Sequence, residues 1–185
     1  MTLTKTPVCD FTKKAEDFEL KSIDNKLISL NDIRGEKATL VMFICNHCPY
    51  VKAVIKDLAK DCNDLKKNGV NTIAVMSNDV KNYPDDSFEN MIKFAKENNF
   101  DLIDYVIDET QEIAKKYNAV CTPDFFGYNK DLELQYRGRY RELKDLKPVV
   151  SGDSDLKIAM KMIAQTQKGP DEQIPSMGCS IKWFK

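Results

Sequence analysis

No stretch of this sequence is apolar for long enough to span a bilayer, which takes about 20 residues. The opening residues, Met1-Thr2-Leu3-Thr4-Lys5-Thr6-Pro7, hold no apolar signal core, so no secretory leader is expected. An excess of charge is lacking too: 28 basic against 29 acidic side chains leave a net charge of −1. That balance argues against nucleic acid or an anionic membrane as a partner. There are no internal repeats, no low-complexity tract and no linker. The 185 residues therefore read as one domain with additions at its ends. Histidine is nearly missing, with a single copy, His47.

What is present is a hydrophobic fraction of 42%, enough for a real core, and 31% charged residues scattered as solvated helix faces are. Six cysteines are many. A disulfide framework suits short secreted chains, and this one is neither short nor evidently secreted. Redox or metal chemistry in the cytoplasm is the expected use.

Four of the chain's features converge on Val41-Met42-Phe43-Ile44-Cys45-Asn46-His47-Cys48-Pro49-Tyr50-Val51. An apolar run ends, a Cys-x-x-Cys holds the only histidine, a proline follows, and a helical pattern begins. Val51, Val54, Ile55, Leu58, Cys62 and Leu65 recur at offsets of three and four, one face of an α-helix. Proline suits the first helical position, where its missing N–H is no loss. Cys48 is then the N-cap. Were Cys45 the cap, Pro49 would delete the first intrahelical bond. A helix N-terminus favours a thiolate. Cys48 is therefore the expected nucleophile and Cys45 its partner thiol, the reverse of the usual order in such a motif.

Along the chain, residues 1–16 read as an irregular lead-in and 17–30 as a hairpin turning at Ser22-Ile23-Asp24-Asn25. Asn31–Gly35 reads as a brief helical turn, and 38–44 as a strand buried on both faces. A helix from Pro49 stops at Lys66-Lys67-Asn68-Gly69. A strand follows at 70–76, then a polar loop. Asp86 and Glu89 suit a capping box for a helix reaching about Asn99. A strand at 105–107, a helix at 110–117, a hairpin over 125–136 and a helix from Ser154 to Gln167 complete the body. The pattern is an α/β fold, a central mixed β-sheet flanked by helices. The domain is expected over 17–167, with 168–185 as a C-terminal tail. The crossover rule puts Cys45 and Cys48 at the carboxyl edge of the sheet, where such folds hold their sites.

This order resembles the thioredoxin superfamily. Phe43 and Cys48 keep that superfamily's spacing from strand aromatic to catalytic cysteine, and Thr122-Pro123 stands where its cis-proline does. Further motifs are Cys45–Lys52, Ser77-Asn78-Asp79, Tyr83-Pro84, Cys121-Thr122-Pro123-Asp124-Phe125-Phe126, Tyr136-Arg137-Gly138-Arg139 and Pro175-Ser176-Met177-Gly178-Cys179. Together they resemble bacterial peroxiredoxin-like, thioredoxin-fold proteins of the alkyl hydroperoxide reductase/thiol-specific antioxidant group. The resemblance implies a cis bond at Pro123. It differs from true peroxiredoxins, whose Pro-x-x-x-Thr-x-x-Cys would place proline at position 41 and threonine at 45. Val41 and Cys45 stand there, so the hydroxyl that helps bind peroxide is absent.

The expected catalytic set is Cys48, Cys45, His47, Pro123 and Cys121, with no cofactor. His47 would tune the thiolate. Cys121 reads either as a small buried residue or, near Cys48, as an alternative resolving thiol. Arg137 and Arg139 read as solvated strand-end charges, with a place beside the thiolate as the alternative. Tyr83-Pro84-Asp85 lines the site rim or merely turns the chain. Cys9 and Cys62 read as structural, and Cys179 as packed, with a resolving role as its alternative. The leading function is a thiol–disulfide oxidoreductase acting on a thiol, a disulfide or a hydroperoxide and regenerated by a reductant such as thioredoxin. A thiol peroxidase passing through a Cys48 sulfenic acid is the second reading. A metal-binding protein using Cys45, His47, Cys48 and Cys121 is the third.

Overall fold

The computed structural model describes residues 2–185. The chain opens on a short strand, β1 (Leu3–Lys5), then the hairpin of β2 (Glu19–Ser22) and β3 (Leu27–Ser29). Asn25 closes that hairpin at φ 61°, a left-handed value asparagine tolerates. Asn31–Ile33 forms a turn, without the expected brief turn of helix. Strand β4 (Ala38–Phe43) is buried at every position. Leu40 and Met42 enter one core, Val41 and Phe43 the other. Successive side chains of a strand take opposite faces, so a strand covered on both faces is apolar nearly throughout; the one polar side chain, Thr39, accepts from Gly35 N at 3.0 Å.

The helix expected from Pro49 is broken into α1 (Pro49–Lys52) and α2 (Ile55–Lys66). Val54, at φ −120° and ψ −15°, leaves the helix, and its N–H reaches back only to Val51 O. The break keeps Val51, Val54 and Ile55 all in the core. Gly69, at φ 77°, ends the α2 connection as the sequence indicated. Strand β5 (Val70–Met76) runs parallel to β4, Leu40 opposite Thr72.

A 3₁₀ turn at Pro84–Asp86 leads into α3 (Phe88–Glu97). Its N-cap is Ser87, which accepts from Asn90 N. The expected capping box on Asp86 does not form, because that carboxylate turns inward. Strand β6 (Ile103–Ile107) adds parallel to β5, followed by α4 (Glu112–Lys116) and the two-residue β7 (Cys121–Thr122). Strand β8 (Asp124–Asn129) returns antiparallel to β4, and β9 (Leu134–Tyr136) pairs with it. A small hairpin of β10 (Leu143–Lys144) and β11 (Lys147–Pro148) precedes α5 (Asp155–Thr166), capped by Ser154, and β12 (Met177–Ser180).

The main sheet has seven strands in the order β3-β2-β6-β5-β4-β8-β9, mixed and flanked by helices. A second sheet, β1-β12-β7, joins the two ends of the chain to the strand bearing Thr122. The stretches expected to be irregular at either end thus contain strands. They are too short and polar to show a period, and they form because partners from distant sequence meet there. Among the described residues no helix is long and apolar enough to cross a membrane.

Arg137 is not a solvated charge. Its guanidinium is buried on Asp124 (Nη2–Oδ2 3.0 Å), donates to Asn118 O at 2.7 Å and lies over the Phe126 ring. Burial pushes the Asp124 carboxyl up, and Arg137 opposes this. Removing one partner leaves the other charge uncompensated. Arg137→Met is expected to destabilise the fold by about 3–5 kcal/mol, read from urea denaturation. A loss no larger than that of an exposed substitution would remove the pair from the framework.

Candidate active site

Strand β4 delivers the motif and α1 receives it. Cys48 is the N-cap, at φ −65° and ψ 124°, with Pro49 in the first turn. The Thr122–Pro123 peptide bond is cis. Both thiols of the motif meet this segment: Cys48 Sγ lies 3.2 Å from Thr122 O, and Cys45 Sγ 3.3 Å from Thr122 Oγ1. Neither cysteine has appreciable exposure, Cys48 at 0% and Cys45 at 1%, so both sulfurs are shielded from bulk water.

A third thiol completes the group. Cys179, on β12, brings its Sγ to 3.1 Å from that of Cys48. It is not simply a packed side chain. Cys121 shares β7 with Thr122, yet its Sγ sits 3.5 Å from Pro123 O, and burial pushes its thiol up.

The electrostatics single out one sulfur. The Cys48 thiol is pulled down from 9.0 to about 4. The largest cause is the Cys45 thiol donating to the Cys48 thiolate, and burial opposes it. Cys179 then donates through its thiol and its N–H, and Val51 N–H adds a bond from the first turn of α1. Cys45 is correspondingly held well above its ordinary value, first by donating to Cys48 and then by burial. One thiolate is thus stabilised by two neighbours that stay protonated.

His47 is held by Asp86, a carboxylate whose place in the sequence suits a helix cap. Asp86 is fully buried, and its Oδ2 lies 2.7 Å from His47 Nδ1. It also accepts from Asn46 N (2.8 Å), His47 N (3.3 Å) and Asn78 Nδ2 (2.8 Å). The carboxylate therefore carries both the imidazole and the loop between the two cysteines. Tyr105 hydroxyl donates to Asn46 Oδ1 at 2.9 Å and fixes the same loop from below. The Tyr83 ring stacks on His47, 5.6 Å between centroids, so Tyr83 does line the site. The bond to Asp86 raises the His47 pKa, with burial opposing. In the sequence Asp86 reads as a helix cap paired with Glu89, and nothing local points its carboxylate at His47.

Ligand atoms of Cys45, His47 and Asp86 lie within 4.8 Å of one another. Cys48 and Cys121 do not belong to that group, so among the described residues Cys45, His47, Cys48 and Cys121 do not form one donor set. Both arginines are committed elsewhere, Arg139 to Asp155 and Glu142. A groove of about 470 Å³ opens beside the cis-proline, bordered by Tyr50, Pro123, Arg139, Leu143, Ile174 and Met177.

Residues 11–140 match the model of the AhpC/TSA family. The chain belongs to that family. It is accordingly a thiol-dependent oxidoreductase with a thioredoxin-like fold. It is similar to an uncharacterized conserved protein from Geobacillus kaustophilus, 38% identical over 100% of this chain and 97% of that one, with a TM-score of 0.94. A hypothetical protein from Sinorhizobium meliloti is 32% identical over 98% of both chains, at TM-score 0.90. The thioredoxin domain of a thiol-disulfide oxidoreductase from Bacteroides vulgatus shares the fold at 19% identity and TM-score 0.58, over 69% of this chain and 87% of that one. No match was found among curated proteins.

Two outcomes follow from these electrostatics. Between about pH 4 and 9.0 the unfolded chain binds a proton at Cys48 that the folded, reduced chain does not. Stability of the reduced protein therefore rises with pH across this window and is lost as pH falls toward about 4. Cys179, pushed up to about 12, titrates above the window. Cys48→Ser should flatten this component of Tm against pH in calorimetry; an identical profile would contradict the acidic thiol. Separately, Asp86→Asn should lower the His47 pKa in an NMR titration of the ring protons. An unmoved titration would show that the carboxylate does not set the charge on His47.

Proposed function

We propose that this chain is a thiol–disulfide oxidoreductase in which Cys48 attacks and Cys45 resolves. The observation that carries the reading is the Cys48 thiol, drawn down to about 4 at a helix start facing cis-Pro123, with Cys45 donating to it. The Cys48 thiolate attacks one sulfur of a substrate disulfide. The sulfur–sulfur bond breaks, the far half leaves as a thiolate, and Cys48 carries the near half as a mixed disulfide. Its negative charge is then gone, and with it the main cause of the raised Cys45 pKa. Cys45 releases its proton, attacks Cys48 Sγ and expels the second half as a thiolate. A dithiol such as reduced thioredoxin restores the starting state. The groove beside Pro123 would seat the substrate, its apolar wall formed by Tyr50, Leu143, Ile174 and Met177. The cytoplasm, where thiols are kept reduced, suits a cycle that begins from the dithiol.

Peroxide reduction is the second reading. The family match favours it, and so does the complete burial of Cys48, which admits a small oxidant more easily than a protein disulfide. Cys48 would take one oxygen from a hydroperoxide, becoming a sulfenic acid and releasing the alcohol or water. Cys45 would displace hydroxide and close the same disulfide. Cysteine at position 45, where a peroxiredoxin has threonine, weighs against speed in that step.

Reduction of insulin disulfides, followed by turbidity with a dithiol as electron source, separates the cases. Cys48→Ser should fall to the uncatalysed rate; unchanged activity would defeat the assignment. A chain that consumes hydrogen peroxide far faster than it reduces insulin belongs to the second reading.

A further inference from the structure

Cys48 has a thiol on each of two sides. Cys45 lies just before it in the loop, while Cys179 arrives from the last strand of the chain. The position of Cys179 is tightly specified. Strand β12 is held between β1 and β7, with Cys179 opposite both Leu3 and Thr122. Gly178 makes the approach possible: a Cβ there would lie 2.1 Å from Thr122 O. Ser176 hydroxyl donates to Pro123 O at 2.8 Å on one side of the pair, and Lys182 N donates to Asn78 Oδ1 at 2.8 Å on the other. The Cys48 and Cys179 sulfurs stand 3.1 Å apart. Closing to a disulfide length of about 2.05 Å takes about 1 Å, within reach of side-chain rotation.

We propose that Cys179 is a second resolving thiol, and that the chain forms a Cys48–Cys179 disulfide tying strand β12 to the head of α1. This rests on Cys48 being the nucleophile. In the step, Cys179 gives its proton to solvent and its thiolate attacks Cys48 Sγ. When Cys48 carries a mixed disulfide, the bond to the substrate sulfur breaks and that sulfur leaves as a thiolate. When Cys48 is already joined to Cys45, the same attack releases the Cys45 thiolate. One disulfide is exchanged for another, the proton lost by Cys179 being matched by the one Cys45 takes up, and no electrons are gained or lost. Oxidation is thereby relayed from the motif to the C-terminal strand, leaving Cys45 reduced.

The protonation of Cys179 suits this order. Burial and donation to the Cys48 thiolate push it up to about 12, so it is inert while Cys48 is free to attack. Both contributions from Cys48 vanish once that sulfur is bonded, and Lys182 favours ionisation. Cys121 serves as an internal control, because its thiol faces the Pro123 carbonyl.

The test uses the full chain, reduced and then exposed to hydroxyethyl disulfide as a small probe, with acid quenching and peptide mass mapping. In Cys45→Ser, the peptide holding Cys48 should become linked to the peptide holding Cys179. The probe adduct on Cys48 should decay about tenfold or more faster than in Cys45→Ser/Cys179→Ser, as expected for a neighbouring thiol. Alanine replacements at the same positions should rank alike, which separates chemistry from a folding defect. An adduct equally long-lived in both variants, or a link from Cys48 to Cys121, would overturn the second resolving thiol while leaving the nucleophile intact. If Cys48 takes no adduct in any variant, the nucleophile assignment falls with it.

Discussion

The site depends on how closely three pieces of backbone approach one another at Thr122. Its carbonyl oxygen meets Cys48, its hydroxyl meets Cys45, and its main chain pairs with Cys179. The segment can take this role because it is anchored from behind. Asp124, next to the cis-proline, is buried on Arg137, and its carboxylate also accepts from Val120 N. A displaced charge pair would move the loop, and with it the surface against which the three sulfurs are arranged.

The charge logic is narrower than a helix dipole. Helix α1 has only four residues, and among the causes that lower the Cys48 thiol its Val51 N–H ranks behind the bonds from Cys45 and Cys179. Sulfur donors do most of the stabilising. Three thiols this close cannot all ionise, so the charge resides on the one that collects the most donors. The state of each thiol therefore depends on what its neighbour has already done. The His47–Asp86 pair provides a second level of control, since the same carboxylate orients the ring and grips the loop that spaces the cysteines. A change at Asp86 would be felt in both geometry and charge.

Much of this was legible from residue order. Val41, Phe43 and their neighbours read as a strand covered on both faces, and the structure places them so. Cys48 as the cap before Pro49 follows from helix phase and the place proline takes in a first turn. The parts that escaped share one cause, which is long-range pairing. Strands β1 and β12 are too short to carry a period, and each forms through a partner far away in the chain. The break at Val54 serves core packing, not local propensity. Asp86 looked like a cap because a carboxylate before a helix so often is one. Ser87 took that place, and the carboxylate was drawn to Asn46, His47 and Asn78 instead.

By itself the sequence determined the fold class, the register of the motif and which of its two cysteines begins a helix. Those properties rest on local periodicity and on proline's fixed geometry, both of which act over a few residues. Tertiary structure alone decided that Cys179 touches Cys48, that Cys121 does not bond to it, that Arg137 is buried and that Asp86 holds His47. Each of these turns on which distant segments come within hydrogen-bonding distance. A side chain's local sequence does not record the direction it takes once a sheet has closed around it.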